Sequence, residues 1–279
     1  AIPHFIDSAS DNLGVDTRAL SDYLGEIADL RSGTCINRRT GRRIRALIVV
    51  HVLGHLAEMA ALREIADRYR LGLIEDAAEA LGSFRDGHHA GHWGDVSALS
   101  FNGNKIITTG GGGAVLTNDA ALARRARHLT TTAKLPHRWA FEHDQVAYNY
   151  RLPNLNAALG VAQLAQLPEL LTAKRRLARA YARAFADIDG VELFSEPPGC
   201  RSNHWLNLLF LPDASQREEL LEAAHANGLM LRPLWTPLHR LPMYTDMPRA
   251  ALPVAENLCA RGACLPSSAT ITTGTEAAK

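Results

Sequence analysis

The chain has 279 residues, 47% of them apolar and 21% charged. That is enough for about two domains with a sizeable core, and it excludes a disordered chain. With 30 Lys and Arg against 29 Asp and Glu the net charge is +1, so no polyanion partner such as nucleic acid is implied. The four cysteines, Cys35, Cys200, Cys259 and Cys264, lack metal-ligand spacing, and a chain of this size needs no staples. Reduced thiols in a cytoplasmic protein fit best, and no apolar run reaches the roughly 18 residues of a membrane-spanning helix.

Taken in chain order, Arg38, Arg39, Arg42, Arg43 and Arg45 form a basic cluster, read as the solvated approach to a strand. Residues 46–51 (Ala-Leu-Ile-Val-Val-His) are short, apolar and β-branched, as a buried parallel strand requires. Residues 56–69 place Met59, Leu62, Ile65, Ala66 and Tyr69 at helical spacing. Residues 71–76 are the next apolar run, so strand, helix and strand make a right-handed βαβ unit. Residues 96–101 and 113–117 continue the strand series. Asn118 or Asp119 caps a helix that runs through His128. A long helical pattern follows from Leu155 to about Ile188, with Pro168 a candidate kink. The breaker cluster Glu196-Pro197-Pro198-Gly199-Cys200 ends it. Residues 204–211 read as a strand, 215–227 as a helix with Gly228 as its C-cap, and 229–232 as a further strand. The expected organisation is a large domain over residues 1–170 and a smaller α+β domain over 171–279.

Chemistry concentrates around Lys105, in Ser100-Phe101-Asn102-Gly103-Asn104-Lys105-Ile106-Ile107-Thr108-Thr109 followed by four glycines. A lysine between an apolar strand and a glycine run can lose its charge by desolvation, and a neutral amine attacks an aldehyde to give a Schiff base. Asp76 ends the strand before it. An amine and an acid able to face a pyridinium nitrogen are the minimum equipment for pyridoxal phosphate chemistry. The glycine run is not a Walker loop, because no Gly-Lys-Ser/Thr follows it. No Gly-x-Ser-x-Gly elbow anchors a hydrolase triad. His88, His89 and His92 read as a surface hairpin rather than a metal site. His51 ends a strand, where it could face a cleft.

These pieces, in this order, resemble the DegT–StrS family of sugar aminotransferases. The resemblance is carried by Ile74-Glu75-Asp76-Ala77-Ala78-Glu79-Ala80-Leu81-Gly82, Gly91-His92-Trp93-Gly94-Asp95, residues 97–105 and the glycine run. Tyr148-Asn149-Tyr150-Arg151-Leu152-Pro153-Asn154, Leu231-Arg232-Pro233-Leu234-Trp235-Thr236-Pro237 and Leu265-Pro266-Ser267-Ser268 extend it over nearly the whole chain. It implies the type I pyridoxal phosphate aminotransferase fold, with a mostly parallel large-domain sheet flanked by helices. Lys105 would hold the cofactor and shuttle the proton. Asp76 would face the ring nitrogen. Ser100 would bind the phosphate, and Asn149 would reach the phosphate of a neighbouring subunit, which implies a homodimer. Residues 102–109 and 129–139 are similar to the legionaminate and bacillosamine branch. That similarity implies a UDP-linked 2-acetamido-4-keto-6-deoxy sugar as acceptor and glutamate as donor.

Two features depart from the pattern. The family often has Gln three residues after the aspartate, bonded to the cofactor's ring oxygen, where this chain has Glu79; an ionised carboxylate only accepts hydrogen bonds. The sequence also opens at Ala1 in what resembles the middle of the large domain, which implies an N-terminally truncated member. The sequence therefore leaves open an active aminotransferase and an inactive fragment of one. A related dehydratase would carry His at position 105, and a non-enzymatic binding module would not need this motif set.

Overall fold

The computed structural model describes residues 1–271. It begins with an element the composition did not announce. Helix α1 (Thr17–Ile27) starts at Asp16, whose side chain accepts from the Ala19 N–H at 2.8 Å. A hairpin follows, β1 (Ala28–Arg31) and β2 (Thr34–Asn37), turned by Ser32 and Gly33 at φ 49° and 75°. The βαβ unit then comes as expected: β3 (Ala46–Val50), α2 (Met59–Arg68) and β4 (Gly72–Asp76). The helix begins three residues later than its periodicity suggested. Residues 51–58 instead make a turn in which Leu53 and Gly54 take φ 57° and 91°. Gly54 must be glycine, because a Cβ there would fall 1.9 Å from Asn203 Oδ1.

A small hairpin, β5 (Phe84–Arg85) and β6 (His88–His89), precedes β7 (Val96–Ser100) and β8 (Gly113–Leu116). The main sheet has the order β3-β4-β7-β8, parallel except for the last pair. Its two faces differ sharply. On one, Leu47, Val49 and Leu73 pack against Leu20, Leu24, Met59, Leu62 and Ile65 of α1 and α2. Each such side chain contributes about 1.5–3 kcal/mol by leaving water. On the other, Ile48, Val50 and Val115 are 60%, 41% and 56% exposed. The register puts Val50 beside Asp76, Asp76 beside Ala98, and Ser100 beside Gly113 on this uncovered face. Parallel sheets are normally covered on both sides.

Helix α3 (Ala120–Thr130) is capped by Asp119. Helix α4 (Asn154–Phe185) is continuous through Pro168, so the expected division near residue 170 falls inside it. Beyond it come β9 (Glu192–Leu193), β10 (Cys200–Arg201), β11 (Asn207–Phe210), α5 (Ala214–Ala226), β12 (Arg232–Pro233), α6 (Pro253–Arg261) and β13 (Gly262–Leu265). Strands β12-β13-β11-β9 form an antiparallel sheet. The strand expected over 229–232 shrinks to Arg232–Pro233 for a definable reason. Gly228 at φ 74° and the Leu229 N–H bonded to Ala224 O at 2.8 Å complete a Schellman end on α5, which uses those residues up. Leu13, Leu53, Phe194, Trp205, Leu208, Phe210 and Cys264 form one cluster joining this sheet to the turn after β3. Lys174 of α4 is buried in that join. Its amine donates to Trp205 O at 2.9 Å and also to Ser267 O, and burial pushes it down to about 8.

Candidate active site

Three of the sequence-derived residues meet at the carboxyl ends of β4 and β7, where open α/β sheets bind ligands. Asp76 is the last residue of β4, and its Oδ1 accepts from the Ala78 N–H at 3.1 Å. Its Oδ2 has no partner among the described residues. Glu79 lies three residues on. Its Oε2 accepts from the Leu53 N–H at 2.7 Å, and its Oε1 lies 3.7 Å from Lys105 Nζ. Burial raises the Glu79 carboxyl above the usual range; the Leu53 N–H and Lys105 oppose this, and the charge of Asp76 adds to it. The Lys105 amine also sits 4.0 Å above the centre of the Trp205 ring. Two bonds hold that loop: Lys105 N to Asn102 O at 3.0 Å, and Trp205 Nε1 to Asn104 O at 2.8 Å.

Ser100 closes β7, and its Oγ accepts from the Asn102 N–H at 3.3 Å. The glycine run answers a steric need. A Cβ on Gly113 would fall 2.2 Å from Leu99 O, so only glycine lets β8 pair this closely with β7. Asn149 lies elsewhere, on the exposed arm of residues 131–151. It bridges to Thr131 and accepts from Arg151 Nη1 at 2.9 Å. None of its contacts among the described residues reaches the other four. A groove of about 1320 Å³, lined by Ala98, Val115, Arg127, Tyr150 and Asn156 among others, runs between the open sheet face and this arm; Lys105, Asp76 and Glu79 do not line it.

The expectation for His51 needs correcting. It faces no cleft: it is fully buried, and its Nε2 lies 2.8 Å from Glu75 Oε2. Glu75 also accepts from the N–H groups of Gly91, Trp93 and Gly94 at 2.8, 2.8 and 2.5 Å. Burial alone would raise this carboxyl, but His51 and the Gly91 and Gly94 bonds outweigh it and hold it low. Glu75 and Trp205 escaped the sequence reading, the first because strand alternation does not name a partner and the second because a cation–ring contact has no spacing rule. No group of three or more His, Cys, Asp or Glu able to hold a metal occurs among the described residues, and Cys35, Cys200, Cys259 and Cys264 are all free thiols.

Comparison with known proteins identifies the family. The sequence profile of the DegT/DnrJ/EryC1/StrS aminotransferase family matches residues 25–278. EpsN of Bacillus subtilis (strain 168), whose name describes a pyridoxal phosphate-dependent aminotransferase, is 35% identical over 98% of this chain and 68% of its own. GDP-perosamine synthase of Escherichia coli O157:H7 is 37% identical over 83% of this chain and 63% of its own. Among solved structures, a DegT DnrJ EryC1 StrS aminotransferase from Brucella abortus superposes with a TM-score of 0.86 at 28% identity, over 99% of this chain and 71% of that one. The chain thus spans about two thirds of the length of these relatives. It belongs to the DegT/DnrJ/EryC1/StrS aminotransferase family of pyridoxal phosphate-dependent sugar aminotransferases.

Proposed function

We propose that this protein transfers an amino group from glutamate to the C4 carbonyl of a nucleotide-linked 4-keto-6-deoxy-2-acetamido sugar, acting as a cytoplasmic homodimer. The observation that carries the reading is the meeting of Lys105, Glu79 and Asp76 at the strand ends. The name of a GDP-perosamine synthase relative supports a nucleotide-linked sugar as substrate class; the UDP-linked acetamido sugar rests on the sequence resemblance alone.

The donor set fits pyridoxal phosphate. Lys105 supplies an amine for the aldehyde, the Asp76 Oδ2, without a partner among the described residues, suits a ring N–H, and the Ser100 hydroxyl suits a phosphate oxygen. Bound, the cofactor supplies an electron sink that weakens the donor's Cα–H bond. Lys105 would take up and hand on that proton at Nζ. Asp76 keeps the ring nitrogen protonated by its charge. Glu79 stands where the family often has glutamine. Burial moves its carboxyl toward the protonated form, the form with a proton to donate to a ring oxygen, while the Leu53 N–H and Lys105 favour the ionised one. Asn149 completes the phosphate site of the neighbouring subunit.

The test is to supply the protein with pyridoxal phosphate, glutamate and a panel of UDP-, GDP- and dTDP-linked 4-keto-6-deoxy sugars, and to follow amino sugar by mass spectrometry. Borohydride reduction and peptide mapping of the same sample should label Lys105. Label on a different lysine overturns the site. A second reading, an inactive chain, is favoured by the uncovered face that carries Asp76 and Ser100. Labelled Lys105 without amino sugar from any donor and acceptor would select it.

A further inference from the structure

We propose that Trp205 and Trp235 form a two-ring wall against which the acceptor's pyranose is held beside Lys105, with Trp235 the ring that meets the sugar. The inference rests on the sugar aminotransferase reading above. The two indoles are parallel to within 1°, with ring centroids 5.9 Å apart. Their environments are opposite: Trp205 is 5% exposed and Trp235 57%. Trp205 is fixed on three sides. Its Nε1 donates to Asn104 O, its backbone N–H donates to Asn203 Oδ1 at 2.8 Å, and its carbonyl accepts from Lys174. Its ring face already holds the Lys105 amine at 4.0 Å. A carbonyl that reaches this amine therefore arrives against the Trp205 ring, on which Trp235 stacks.

Trp235 carries the wall outward. The chain leaving β12 keeps strand pairing, with Leu234 N donating to Gly262 O at 3.2 Å. Alternation then turns Leu234 inward, against the cluster that contains Trp205, and Trp235 outward. The Trp235 carbonyl accepts from Cys259 Sγ at 3.4 Å, which pins its backbone. The indole is thus held open on a pinned backbone, with an apolar face free for a ligand. Its open face suits a partner with a flat apolar side, and the exposed Thr236 that follows it in the chain offers a polar group. A pyranose has that form: one face of C–H groups and a rim of hydroxyls. An aromatic wall with a few polar groups is how small-molecule sites fix orientation, and a wall held in place beforehand loses little entropy on binding.

The experiment compares sugar nucleotides with the same nucleotides lacking sugar, so that only the ring differs. Affinities of UDP-N-acetylglucosamine against UDP, and of GDP-mannose against GDP, are measured by calorimetry for the parent, Trp235→Ala and Trp235→Phe. Turnover of the 4-keto sugar panel and the oligomeric state are recorded on the same samples. For the better pair, Trp235→Ala should weaken the sugar nucleotide about tenfold while leaving the free nucleotide unchanged. It should also raise KM for the keto sugar more than it lowers kcat, and Trp235→Phe should recover most of the loss. A sugar nucleotide no tighter than its free nucleotide in the parent overturns the wall, as does equal weakening of both. Altered self-association with unchanged sugar affinity assigns Trp235 to a contact between copies and likewise overturns it. Amino-sugar formation in any of these cases leaves the aminotransferase reading standing; its absence with every acceptor removes both.

Discussion

Glu75 and Asp76 are neighbours with opposite fates. Strand alternation sends the first into the core, where it takes hydrogen bonds from three backbone N–H groups, and the second to the open face beside Ala98. Only the second has a carboxylate oxygen left over for a ligand. Asp76→Asn keeps the shape and removes the charge. The variant should retain bound cofactor, read from its visible absorption, while turnover falls by roughly 100-fold or more. Turnover within a few-fold of the parent would remove Asp76 from the ring nitrogen. At this scale the sequence was most legible where chemistry is local: Lys105 and Asp76 stand out by their setting between apolar runs and glycines. Trp205 lies 100 residues from Lys105 in the chain, and only the folded join of the two sheets brings its ring under the amine.

Among the elements, β4 and the turn over residues 90–95 depend on one carboxylate. The Glu75 side chain, itself fully buried, is the partner of buried His51 and Gly91 and of the half-buried Trp93 and Gly94 N–H groups. Glu75→Gln puts a donor where donors already point. The loss should be on the order of 3 kcal/mol, measured as a shift in denaturant midpoint at neutral pH. The pH dependence gives an independent sign. The folded-state carboxyl is held below its unfolded value, so its contribution is fully present above the ordinary glutamate range and disappears as pH falls through the lower folded value. The parent should therefore lose stability in that acid window more steeply than Glu75→Gln. Equal slopes would mean that His51 and the turn do not rely on the charge. The βαβ unit, the Asp119 cap and the end of α5 were readable because period and caps are local rules. Helix α1 and the β1–β2 hairpin were missed although Asp16 and Ser32-Gly33 carry the same kind of signal, and the late start of α2 follows from a packing demand: Leu53 turns at positive φ to enter a core shared with Phe194 and Trp205.

Over the whole molecule, the open sheet face is continued by the arm and the first turns of α4. Trp139, Phe141, Val146, Tyr148 and Tyr150 are strongly exposed on the arm, as are Leu155 and Val161 on the helix. Exposed apolar residues in this number suit an interaction site. A second copy of the chain, as proposed above, would also account for Asn149, which stands on the arm with none of its contacts among the described residues reaching Lys105, Asp76, Glu79 or Ser100. If sites are shared across a two-fold axis, each needs Lys105 from one subunit and Asn149 from the other. Lys105→Ala and Asn149→Ala proteins should each be impaired alone. Mixed and reassociated in equal amounts, half of the dimers combine one subunit of each kind, and one of the two sites in each such dimer is intact, so activity should return to about a quarter of the parent's. Heterodimers that form without recovering activity, with Asn149→Ala impaired alone, would place Asn149 outside the neighbour's site and leave the arm's aromatic surface to another purpose.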